Sequence, residues 1–129
     1  MQLWKRLYGV VWLAFFSCVI IPRWTGAKAG LWVHVVLGLA MLIMTLGNAK
    51  SLHALSVPSR LKRISKVTIG FAVLQVICGL GFGVVKHYLP DLPAAMQALR
   101  IAHLVCALAI LAQASSLATA YDMWEEKEF

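Results

Sequence analysis

Acidic residues are nearly absent: the 129-residue chain holds five Asp and Glu against twelve Lys and Arg. None of Asp91, Asp122, Glu125, Glu126 and Glu128 falls inside an apolar stretch. A membrane carrier of protons or cations normally keeps a carboxylate at depth, so that class is argued against. Charge of either sign is thin, at 13% of residues, while 61% are apolar and the mean hydropathy is +0.80. Those values exclude an ordinary soluble domain. Cysteine is also scarce. Cys18, Cys78 and Cys106 each stand alone in an apolar stretch. No external disulfide is expected, and the three read as small packing residues.

What the chain does have is long apolar sequence. Windows without Asp, Glu, Lys or Arg run over Leu7–Pro22, Ala29–Ala49, Val67–Val85 and Ile101–Tyr121. The last three, of 19 to 21 residues, are long enough to cross a bilayer as helices. The first is shorter, but Lys5, Arg6 and Arg23 can snorkel to the headgroups and extend it. The expected fold is an all-α membrane protein with one domain. Its four transmembrane helices, roughly 5–23, 29–50, 65–86 and 94–122, run up-down-up-down. Pro58 is expected to break any short interfacial helix in a link from Lys50 to Lys66. Pro90 and Pro93 are expected to end the third helix and start the fourth, in a link from Lys86 to Arg100.

The net charge of +7 invites a nucleic-acid partner, but its placement argues for lipid instead. Lys5, Arg6, Lys50, Arg60, Lys62, Arg63, Lys66 and Lys127 make eight basic residues on one face; Arg23, Lys28, Lys86 and Arg100 make four on the other. The positive-inside bias puts both termini in the cytoplasm of a plasma-membrane protein, with a basic loop beside anionic lipid. Trp24 and Trp32 fit an outer aromatic belt, Trp4 and Trp124 an inner one. The first window imitates a secretory signal ahead of Ala27-Lys28-Ala29, but Pro22, Arg23 and Trp24 interrupt the approach, so it is expected to be retained.

Two segments repeat one pattern. His34 and His103 each stand near the outer start of a window, and aligning them also matches Val36 with Val105, Leu39 with Leu108, Ala40 with Ala109 and Leu42 with Leu111. Each histidine has a small residue at i+4, Gly38 or Ala107, hence on the same face one turn deeper. Both helices run the same way. His34 lies 16 residues above Lys50 and His103 lies 19 above Asp122. The depth difference is about 4.5 Å, within the reach of tilt. Two hairpins related by a pseudo-twofold axis along the membrane normal would bring the two imidazoles to that axis. Imidazoles on either side of a plate are how proteins hold haem b, with small residues where the macrocycle meets the backbone. Arg100, one turn outward of His103, is placed for a propionate, and Arg23, Lys28 or Lys86 for the other. The other readings are a structural histidine pair tethering helices, or zinc or copper, which would want a third ligand that only His87 is near enough to supply. His53 is about 28 Å along a helix from His34, too far to share one metal.

The remaining candidates lie in the third helix. Gln75, at mid-membrane, needs a partner from a neighbouring helix, a water or a ligand. Gly79 and Gly83 form a G-x-x-x-G pair, read as a device for close helix approach, with room for a porphyrin face as the alternative. Trp12, Phe15 and Phe16 of the first helix face lipid or cover a flat cofactor. Gly79, Gly83 and an Ala-rich face at Ala114, Ala118 and Ala120 are also candidate surfaces for a homo-oligomer or for partner membrane subunits.

His34 with Gly38, His103 with Leu104 and Ala107, and Gln75-Val76-Ile77-Cys78-Gly79 with nearby Val84 resemble one four-helix half of the haem A synthase family of cytochrome oxidase assembly enzymes. The resemblance covers the second to fourth helices and implies ligand histidines near the outer ends of the second and fourth. The family's reactive half carries a glutamate in the first external loop, and many members add a cysteine pair there. Pro22–Lys28 has neither. Three functions follow as expectations. The first is a haem-holding protein acting in haem modification or oxidase assembly, with oxidoreductase activity in doubt for want of that glutamate. The second is a small cytochrome b taking electrons from quinol. The third is a haem-free accessory subunit of a larger complex.

Overall fold

The structure, a computed structural model, describes residues 2–19 and 28–127. Four helices follow in order: α1 (Leu3–Val19), α2 (Lys28–Ala54), α3 (Ser59–Tyr88) and α4 (Pro93–Glu125). No strand occurs among the described residues. The last three helices are long and apolar enough to cross a membrane. α1 has 17 described residues. The expected end of the first helix near Arg23, the belt residue Trp24 and most of the first external link lie outside the described residues.

The helices outrun the apolar windows that predicted them. Hydropathy marks where lipid-compatible side chains stop, whereas the helix stops only where its backbone bonding is broken. No breaker stands between Lys50 and Ala54 or between Ser59 and Lys66, so the second link shrinks to residues 55–58 and holds no separate interfacial helix. Pro58, extended at φ −53° and ψ 143°, caps α3, and its carbonyl accepts from the Leu61 N–H at 3.0 Å. The Lys62 ammonium donates to the His53 carbonyl at 3.4 Å, satisfying one of the free carbonyls at the end of α2. Leu89 and Leu92 each precede a proline and leave the helical region, which confines the last link to residues 89–92. Pro93 opens α4, where its missing N–H costs nothing.

The helices pack in a ring. Each lies against its neighbours in the chain and α1 closes on α4, so α1 faces α3 and α2 faces α4 across the middle. Two apolar clusters fill the half nearer the basic loop. Leu7, Leu52, Val57, Leu61, Leu117 and Tyr121 form one, with Trp4 and Trp124 against it; Val10, Ala14, Met41, Ala72, Ile110 and Ala114 form the next. Among the described residues, none beyond Cys78 and Cys106 is buried apart from Gly30. Outward-facing side chains are large and apolar, with Ile43 and Leu80 each 69% exposed, as a lipid-facing surface requires.

Close helix approach falls on other glycines than those expected. A Cβ on Gly9 would meet the Met44 sulfur at 3.1 Å, and one on Gly81 would meet Leu99 at 3.2 Å. Gly83 faces open space and Gly79 has only ordinary contact with His103. The spacing marks a stripe, but neither of its glycines is needed for the contact with α4. Ala114 and Ala118 are also corrected: at 3% and 0% exposed they belong to the interior and offer no surface to a second subunit.

Candidate functional site

His34 projects from α2 and His103 from α4, diagonal helices that meet through side chains with no close approach of their backbones. Their rings span the gap between these diagonal helices, with centroids 5.8 Å apart and planes at 60°. Among the described residues the buried core ends just before this layer, at Cys78 and Cys106.

α3 supplies the rest of the surroundings. The Gln75 side-chain nitrogen lies 3.3 Å from His103 Nε2. An amide nitrogen can only donate, so in this placement Nε2 accepts and a neutral His103 carries its proton on Nδ1. That Nδ1 is buried without a hydrogen-bond partner, as are His34 Nδ1 and Gln75 Oε1. Three unsatisfied polar atoms around one pair of rings are costly in an apolar setting. Phe82 sets its ring edge-on to His103 at 5.4 Å between centroids, and Gly79 lies alongside His103 Cε1.

The other expected residues divide. Gly38 and Ala107, each one turn from its histidine, are half-buried, and a Cβ on Gly38 would meet nothing within 4 Å. Arg100 is exposed one turn outward of His103, and Lys28 and Lys86 are exposed as well. Arg23 lies outside the described residues. His87 stacks edge-on against Tyr88 at 4.7 Å, and His53 is exposed at the opposite, basic end. Among the described residues no group of three His, Cys, Asp or Glu side chains is placed to hold a metal ion. The third ligand that zinc or copper would want is therefore not assembled. Trp12, Phe15 and Phe16 pack on one another along the outside of α1, 39–58% exposed.

Two features of the molecule escaped the sequence. Phe82 stood among glycines in an apolar run and carried no polar signal. Asn48 sits only two residues from Lys50 and reads as part of a helix end, yet it is 2% exposed and deep in the bundle.

Compared with protein-family models, curated proteins and solved structures, the chain matches none.

Proposed function

We propose that this is an integral membrane protein that holds one haem b between His34 and His103. The single observation that carries the reading is the pair of imidazoles facing each other from diagonal helices at 5.8 Å. Each imidazole would offer the iron one nitrogen, His34 from α2 and His103 from α4. The residues fit the group in other respects. Open space beside Gly38 suits a macrocycle edge, and the two-ligand set suits a metal that brings its own four nitrogens. Arg100 would meet a propionate. To hold a metal through Nε2, His103 would have to give up its hydrogen bond from the Gln75 amide.

Haem held by two imidazoles supplies a redox-active iron with no open position, which favours holding or passing an electron over activating oxygen. The resemblance to one half of a haem A synthase supports a role in haem modification or oxidase assembly on the holding side. The lack of a glutamate in Pro22–Lys28 agrees with that side. An up-down-up-down order is supported by the contacts of Arg6 with Ser51 and Gly9 with Met44, and of Gly79 and Gly81 with His103 and Leu99. The basic residues that flank the 55–58 link, Lys50 on α2 and Arg60, Lys62, Arg63 and Lys66 on α3, favour a plasma-membrane orientation with both termini cytoplasmic.

One observation favours a second reading. The Gln75–His103 hydrogen bond is what a purely structural tether between α3 and α4 would make, in a haem-free subunit. An absorption spectrum of detergent-purified protein from haem-supplied cells separates the two. A low-spin spectrum lost in His34→Ala and in His103→Ala, and kept in His53→Ala, is expected. Colourless wild-type protein would overturn the haem reading in favour of the tether. Reduction by quinol without any modified haem product would instead assign a cytochrome b.

A further inference from the structure

A second polar site lies well away from the histidines. Thr45 and Asn48 of α2 and Ser65 and Thr68 of α3 are 2–4% exposed, and they line one side of a cavity of about 10 Å³. Leu7 from α1 and Ala114 and Leu117 from α4 close the other side, each equally buried. Neither polar atom of the Asn48 side chain has a hydrogen-bond partner. The three hydroxyls each donate within their own helix: Thr45 to the Met41 carbonyl at 2.7 Å, Ser65 to Lys62 at 2.8 Å and Thr68 to Ile64 at 2.8 Å. Their lone pairs remain available as acceptors.

We propose that this cavity is the binding site of one internal water molecule, which joins Asn48 of α2 to the hydroxyls of α3. The volume is about that needed to seat a single water. The partners suit it as well: the Asn48 amide offers both donor and acceptor, and Ser65 and Thr68 accept from the water's hydrogens. A bare cation of similar size fits the donor set less well. No carboxylate lies in the lining to offset its desolvation, and the Asn48 N–H groups would oppose it. Met41, Ala72 and Ile110 separate the cavity from the histidine layer, and Leu52, Leu61 and the Arg6–Ser51 hydrogen bond at 2.6 Å stand toward the basic end. The water belongs to the α2–α3 contact, independently of any cofactor.

Nuclear magnetic resonance of the full chain in detergent micelles tests this directly. The Asn48 side-chain amide protons should show a cross-relaxation peak at the water frequency, while those of Gln75 serve as comparison. Absence of that peak, with the Asn48 amide resolved, would overturn the proposal. A chemical shift of the amide that titrates with sodium chloride but not with choline chloride would overturn it in favour of a cation. Stability supplies the second readout. Thr68→Val should lower the folding equilibrium constant about fivefold in the wild-type chain, the worth of one buried hydrogen bond. In the Asn48→Leu chain, where the leucine fills the cavity, the same change should have an effect within about twofold. Equal effects in both backgrounds would show that no bridge links the two residues. If Asn48→Leu does not fold, Asn48→Ala serves as that background.

Discussion

His103 Nε2 offers a single lone pair, and the Gln75 amide and the proposed iron want the same one. This competition separates a ligand from a tether at one residue. If the histidine binds haem, Gln75→Leu removes a competitor, and haem affinity in a titration should hold or rise. If the pair is only a tether, the same change strands a buried ring and should cost about 1–3 kcal/mol in detergent unfolding with no spectral consequence. Gly38 supports a parallel test, because a Cβ there meets nothing within 4 Å. Gly38→Ala should stabilise the helix by up to about 1 kcal/mol. Gly38→Phe should fold as well but lose most of its bound haem, as read from the haem-to-protein ratio. The histidine pair was legible in the sequence because a polar ring inside an apolar window stands out. Asn48 was hidden for the opposite reason, since Lys50 nearby made it look like surface.

At the scale of the helix, three of the four windows fall on helices long and apolar enough to cross a membrane, because an uncharged run of that length has few other uses in a 129-residue chain. They understated helix length because long basic side chains continue a helix into the headgroups as readily as apolar ones continue it through lipid. The glycines were harder to read. G-x-x-x-G spacing says that two glycines share a face but not which neighbour that face meets. The packing puts the tight contact at Gly81 against Leu99 and leaves Gly83 open. Gly83→Ala is therefore expected to be neutral or to stabilise by up to about 1 kcal/mol. Gly81→Val should destabilise by about 1–3 kcal/mol, since Leu99 cannot clear a branched side chain without moving α4. Unfolding of both variants in detergent measures the difference. A reversed order would mean that Gly83 packs against a neighbour beyond this chain.

For the whole molecule, the ring order of the helices matters more than their number. Placing α2 opposite α4 is what lets two histidines from diagonal helices meet ring to ring. Repeated spacing in the sequence pointed to equal depth, but a chain of four helices can close in more than one order, and only packing chooses. The same arrangement collects Arg60, Lys62, Arg63 and Lys66 at the start of α3 on the end opposite the histidines. Each basic residue near an anionic leaflet is worth about 1 kcal/mol. The eight-to-four division of Lys and Arg therefore favours one orientation by several such increments. Single cysteines at Lys62 and Asp91, in a chain whose Cys18, Cys78 and Cys106 are replaced by alanine, report that orientation. Lys62 is half-buried and Asp91 exposed, in or beside the links at opposite ends of α3, so one probe addresses each side. A membrane-impermeant maleimide should label Asp91→Cys in intact cells and Lys62→Cys only after the membrane is opened. Labelling of Lys62→Cys from outside would invert the molecule and put the histidines near the cytoplasmic face. Labelling of both from outside would deny that α3 crosses the membrane at all.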